Sequence, residues 1–271
     1  MKNILFAGYS LIIPLILLAT FQGNAQKLPN KQELSLRAPA DIKIDGKSTE
    51  IKNTFAAHNP ATGLFYSLTN DDKQLYLILQ ATEPDDINRI VRGGITFTVK
   101  NKLNKSTRGV SITYPVNKGS LYSFRLTAGK GYVLDTSPAA ADSTMRANNK
   151  KLDDNFKLIK VTGVPDLDTL SIYNEEEFKA AGKFDINKVY TVEMSIPLKY
   201  LSTEIGQSNQ FTYQVRVNGS TPPTIRIGAI QGSSDPAAAE RAMASMQAAI
   251  ETVNSKISAV TDFSADYELA K

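Results

Sequence analysis

Cysteine and tryptophan are both absent from the 271 residues, and histidine occurs once, at His58. Without thiols there can be no disulfide, no thiol nucleophile, no iron–sulfur cluster and no cysteine-based zinc site. Nor is there a thiol to carry a lipid, so the chain is not expected to be a lipoprotein. One imidazole leaves a Ser-His-Asp site a single candidate base, in the predicted turn Ala57-His58-Asn59-Pro60, and no nucleophile-elbow sequence accompanies it. Phosphate loops, dinucleotide fingerprints and HExxH are missing too. A long apolar run occurs only at the start. A different absence is local: Ile87 to Leu134 contains no Asp or Glu.

The first residues read as a targeting segment. Lys2 supplies a positive start, Ile4 to Leu18 an apolar run, and Gly23-Asn24-Ala25 a small-residue cleavage signal. The run is shorter than the ~20 apolar residues of a spanning helix, and Gly8 and Pro14 interrupt it. The expectation is a signal peptide over 1–25 and a protein secreted to the periplasm or the cell exterior, without stable membrane insertion. A polar leader over 26–40 and one β domain over 41–271 should follow, about 245 residues that need no disulfide to hold a core.

Net charge is only +4. The acid-free stretch, however, carries Arg89, Arg92, Lys100, Lys102, Lys105 and Arg108, and further on Lys118, Arg125 and Lys130. Such asymmetry can steer an anionic ligand. The first six are the candidate binding wall, with Tyr114 as a stacking face. The plainer reading is of solvated lysines that protect sheet edges from pairing.

Strand patterns dominate the rest. Ile42 and Ile44 alternate before an Asp45-Gly46 turn. Leu64–Leu68 and Leu75–Ala81 flank the hairpin turn Asn70-Asp71-Asp72-Lys73. Leu75, Leu77 and Leu79 face one way, and Tyr76, Ile78 and Gln80 the other. Both faces are largely apolar, so this strand should be central and covered on both sides. A short helix starts at Pro84 and stops at Gly93-Gly94. Strands are expected at Ile95–Lys100, Val110–Val116, Leu121–Leu126, Tyr132–Asp135, Leu158–Val164, Thr169–Tyr173, Val189–Ile196, Phe211–Asn218, Thr224–Ile230 and Phe263–Leu269. Residues 138–156 read as partly helical, and Glu175 to Ala181 as a short acidic helix.

The longest helix pattern starts behind Asp235-Pro236. Ala239, Met243, Met246, Ile250, Val253, Ile257 and Val260 alternate in steps of four and three, a heptad seam. Such a helix, over 236–260, either lies across the sandwich or pairs with its twin in a homodimer.

Two groups of residues carry a resemblance. The first is Ile44-Asp45-Gly46 with the strand pair around Asn70-Asp71-Asp72-Lys73-Gln74-Leu75-Tyr76. The second is Glu193-Met194-Ser195-Ile196-Pro197-Leu198. With Arg92-Gly93-Gly94-Ile95-Thr96-Phe97 between them, the chain resembles the family-9-like carbohydrate-binding modules of the wider DOMON-like β-sandwich group, over roughly residues 40–220 and the closing strand. The resemblance implies a mainly β fold, an antiparallel β-sandwich with a few short helices and one long one before the last strand. It also implies a secreted, non-catalytic module that binds carbohydrate. Family members grip sugar between tryptophans, whose rings stack on the pyranose face, so no sugar-contacting residue carries over to this chain. Tyr66, Tyr76, Tyr114, Tyr122 and Tyr132 are the rings available, with core roles as their default.

The expected partner is therefore a glycan or another anionic surface ligand, with no cofactor, no metal and no nucleic acid. The alternative is an envelope assembly protein working through Met243, Met246, Ile250, Val253 and Ile257. Lower readings are a glycan-active enzyme using two carboxylates and a haem-binding sandwich using His58.

Overall fold

The two-residue period of the strands sets the architecture. The computed structural model describes residues 27–104, 108–116, 137–222 and 236–271. Among them, twelve strands form two six-stranded sheets with four helices, a mainly β, sandwich-like arrangement. Sheet A runs in the order β1 (Leu36–Arg37), β3 (Leu64–Asn70), β4 (Gln74–Ala81), β10 (Tyr190–Pro197), β9 (Lys179–Phe184), with β2 (Ala57–Asn59) also paired to β3. Sheet B runs β12 (Thr261–Glu268), β11 (Gln210–Val217), β5 (Ile95–Asn101), β6 (Val110–Tyr114), β7 (Leu158–Thr162), β8 (Thr169–Ser171). Every pairing is antiparallel except β1 with β3.

The inward set of sheet A includes Leu77, Leu79, Val192 and Met194, and that of sheet B Phe97, Val99, Ile112 and Val215, all buried. Each such side chain removed from water contributes about 1.5–3 kcal/mol. Two core hydroxyls are paired: those of Tyr66 and Tyr213 lie 3.0 Å apart, and Gln32 N–H donates to Tyr66 Oη at 2.9 Å, whereas the buried Tyr190 hydroxyl has no partner among the described residues.

The segment read as a polar leader joins sheet A. Gln32 imitates a strand residue: Leu68 N–H donates to its Oε1 (2.7 Å) and its Nε2 donates to Leu68 O (2.8 Å). The Asn70–Lys73 turn forms as expected, with Asp71 Oδ1 accepting from the N–H groups of Lys73 and Gln74 at 2.7 Å each. Helix α1 (Pro84–Gly93) has Asp85 and Asp86 in its first turn and ends at Gly94, where φ is +76° and a Cβ would meet Pro115 O at 2.6 Å. Helix α2 (Pro138–Asn155) is complete, its first turn capped by Ser137 Oγ.

The acidic helix expected at Glu175–Ala181 does not form. Phe178, Ala180, Gly182 and Phe184 are buried at every second position, a strand period, and β9 pairs with β10 there. Tertiary pairing overrides the local helical tendency of the glutamates. Segment 1–25, Leu121–Leu126, Tyr132–Asp135, Thr224–Ile230 and Asp235 lie outside the described residues.

Helix α3 (Ser202–Ile205) is a single turn, whereas α4 (Pro236–Ser258) is the long helix that the heptad pattern predicts. None of its described side chains is buried. Its C-terminal half rests on α1, where Lys256 pairs with Asp85 at 2.8 Å.

Candidate functional site

The outward residues of sheet A build the site. Across β3, β4, β10 and β9, the residues Ser67, Ile78, Glu193 and Ala181 stand in register as one row on that face. All four strands are paired on both sides or covered, so a polar residue here must find its partner overhead. The partner is the segment 39–56, which crosses the face as a strap. At one end, Glu193 Oε2 accepts from Asp45 N–H (2.9 Å) and Gly46 N–H (2.8 Å). At the other, Ala56 N–H donates to Ser67 Oγ at 2.9 Å. Ile78, between the two anchors, is 1% exposed. The Ile-Asp-Gly turn and the Glu-x-x-Ile-Pro-Leu strand are therefore two halves of one contact.

Gly46 is required at that contact. Its φ is +84°, and a Cβ would meet Lys183 Cγ at 2.7 Å and Gly182 C at 2.9 Å. Glu193 is 1% exposed. Burial pushes its carboxyl up to about 8; the two N–H donors work against this, and Asp45 and Glu50 add to it.

Beside this anchor the strap, β9, β10 and α2 enclose a cavity of about 550 Å³. Gln80 and Thr191 form its floor, Ser48 and Asn53 its strap side, and Met145, Asn149, Phe184 and Ile186 the opposite wall. Phe184 is fixed by Asn149, whose Oδ1 accepts from Phe184 N–H (2.7 Å) and whose Nδ2 donates to its carbonyl (2.9 Å). The ring leans on Tyr190 at 4.8 Å between centroids. Gln80 Nε2 donates to Thr191 Oγ1 at 3.3 Å, and Ser48 Oγ to Asn53 Oδ1 at 2.6 Å. Of the two lysines on the rim, Lys183 is paired with Asp153, and Lys47 lies 3.8 Å from Asp45. The lining is thus apolar surface with several amide and hydroxyl groups, a composition typical of small-ligand sites.

The predicted basic wall does not assemble. Arg89 is 7% exposed; its guanidinium pairs with Asp86 at 2.5 Å and donates to Ala259 O and Thr261 Oγ1, so it ties α1 to the start of β12. Arg92 is half-buried on α1. Lys100 donates to Gln214, and Lys102 is held by Asp266 (3.1 Å) and Gln210. Arg108 is exposed, and Lys105 lies outside the described residues. Arg89 and Arg92 precede β5, while Lys102 and Arg108 follow its far end, a separation of about 20 Å at ~3.4 Å per residue. Tyr114 cannot stack on a ligand: it is 3% exposed in the core, and burial raises its hydroxyl pKa.

His58 is in strand β2, its ring 4.3 Å from that of Phe65, where a turn was expected. In the heptad seam, Met246 and Val253 are 50% and 53% exposed, while Met243, Ile250 and Ile257 are half-covered. A smaller cavity of about 230 Å³ near β12 has a mostly polar lining that includes Glu33 and Ser35 and the pairs Lys102 with Asp266 and Gln210 with Glu268.

Among the described residues, no group of three or more His, Cys, Asp or Glu could hold a metal ion, and no helix is long and apolar enough to cross a membrane. The cavity residues went unread in the sequence. The available signal was the alternation Thr191-Val192-Glu193-Met194-Ser195, in which polar residues fill one face of a strand that must be central. Neither the protein-family models nor the curated proteins compared with this chain give a match.

Proposed function

We propose that this chain is a secreted, non-catalytic binding module whose ligand enters the cavity above sheet A. The observation that carries the reading is the cavity lining: amide and hydroxyl side chains from β4, β10, α2 and the strap converge on a volume of about 550 Å³ with an apolar wall. Hydroxylated rings are bound by this combination, hydrogen bonds around the edge and apolar contact on the face. A neutral saccharide end therefore fits better than the anionic glycan expected from charge alone. The resemblance to family-9-like carbohydrate-binding modules supports the same class. Asp71 in its turn and Asp185 in the β9–β10 hairpin serve as turn residues. The start of the chain, with its signal-peptide pattern, supports action in the periplasm or outside the cell.

The test is a glycan-array screen followed by calorimetry. Gln80→Ala and Thr191→Val should each weaken the best saccharide about three- to tenfold, the cost of one lost hydrogen bond. Unchanged affinity in both variants, or no saccharide bound at all, refutes the reading.

A second reading rests on α4. Its apolar seam leaves Met246 and Val253 half exposed, as a helix awaiting its twin in a second copy would. Sedimentation should then show a dimer that Met246→Glu dissociates; a monomer before and after the change removes this reading.

A further inference from the structure

One of the strap's two anchors on sheet A is a carboxyl group, that of Glu193. Among the described residues no cation pairs with Glu193. Its strand neighbours on the same face are Ile78 and Ala181, and its acceptors' partners are backbone N–H groups of Asp45 and Gly46. The charged and titratable groups around it are Asp45, Lys47, Glu50 and Lys52 on the strap, Lys179 and Lys183 on β9 and Tyr76 on β4. Its nearest outward neighbours on β10, Thr191 and Ser195, are uncharged. Lys183 is engaged by Asp153, and Asp45 and Glu50 both oppose a negative charge at Glu193. The residues that touch Glu193 also wall the cavity: Gly46 belongs to both, and Lys47, Ser48, Thr49 and Asn53 follow it.

We infer that residues 45–53 act as a pH-sensitive latch on the cavity, seated while the Glu193 carboxyl is neutral and released when it ionises. A neutral carboxyl can still accept both N–H groups through one oxygen, so seating survives protonation. An ionised one keeps the two N–H donors but has Ile78 and Ala181 at its sides and no cation partner among the described residues, so its burial costs more than the two bonds return, and lifting the strap brings water to it. The seated state therefore binds the proton more tightly than the lifted state, and acid favours seating. The window runs from the ordinary glutamate range up to about 8. The inference does not depend on which ligand the cavity takes.

Hydrogen exchange, corrected for its intrinsic pH dependence, tests the latch on the free protein. Protection of the amides in 45–53 should fall at least about tenfold between pH 5 and pH 8.5, the effect of one unit or more of pKa difference. Protection in β5 should not change. Glu193→Gln, which keeps an oxygen acceptor and cannot ionise, should hold the strap protected at both pH values. Flat protection in the wild-type chain, or an equal loss in Glu193→Gln, overturns the inference. Should that variant not fold, carbon-13 titration of the wild-type Glu193 carboxyl decides. A midpoint well above the ordinary value of about 4.3 supports the latch, and an ordinary one overturns it.

Discussion

The two outer faces of this sandwich are built from the same alternation and have opposite fates. On sheet B the outward residues are Thr96, Thr98 and Lys100, Thr212, Gln214 and Arg216, Asp262, Ser264 and Asp266, and most of them pair with one another across strands. Thr212 donates to Asp266 at 2.7 Å, Arg216 pairs with Asp262 at 3.2 Å, and Thr96 bonds Thr113 at 2.8 Å. Such a face can remain against water. On sheet A the outward row sets Ile78 between Ser67 and Glu193: Ile78 cannot face water without loss, and it keeps the two polar residues from pairing with each other. Covering that row recruits the strap, and covering it incompletely leaves the cavity. The lesson is that a cavity arises here where an outer face is not self-sufficient.

Substituting both faces should expose the contrast. Ile78→Ala should cost about 2–5 kcal/mol, as a buried aliphatic truncation does, and loosen the strap. Gln214→Ala on sheet B should stay within about 0.5 kcal/mol. Chemical denaturation of both variants measures the pair, and similar losses would erase the distinction. Gly46→Val should rank next, at about 1–3 kcal/mol, because it places a branched residue at positive φ against β9. Its loss should appear first as exchange of 45–53.

The carboxyl that anchors the strap should also make stability depend on pH. Glu193 titrates higher in the folded chain than in the unfolded one, so its stability contribution is complete below the ordinary glutamate range. It is lost as pH rises through about 8. Melting of the wild-type chain should fall between pH 5 and 8.5 by more than that of Glu193→Gln; parallel curves would assign the pH dependence elsewhere. The smallest effect belongs to sheet B's ion pairs. Lys102→Ala should cost at most about 1 kcal/mol, as exposed pairs do, and Arg92→Ala with Arg108→Ala should leave saccharide binding in the cavity unchanged.

The sandwich was legible wherever a period of two was clean. Leu75 to Leu79 declared a central strand, and Asn70–Lys73 and Gly94 declared a turn and a helix end. The β9 strand was not legible, because Glu175-Glu176-Glu177 favours helix locally and only pairing with β10 decides otherwise. Charge misled for a related reason. Sequence shows that Arg89 is basic, but not that Asp86, one turn earlier, and the Ala259 carbonyl from the far end of the chain engage it. The site was half visible. Asp45-Gly46 and Glu193 were singled out as separate motifs, yet their contact spans 147 residues and no local pattern announces it.

On the proposed reading the ligand binds above sheet A and not on sheet B. Nitrogen-15 chemical shifts recorded while the free protein is titrated with the best saccharide from an array test it most directly. Shifts should cluster at Ser48, Gln80, Asn149 and Thr191. Shifts confined to Thr98, Gln214 and Ser264, or none at saturating saccharide, would contradict it.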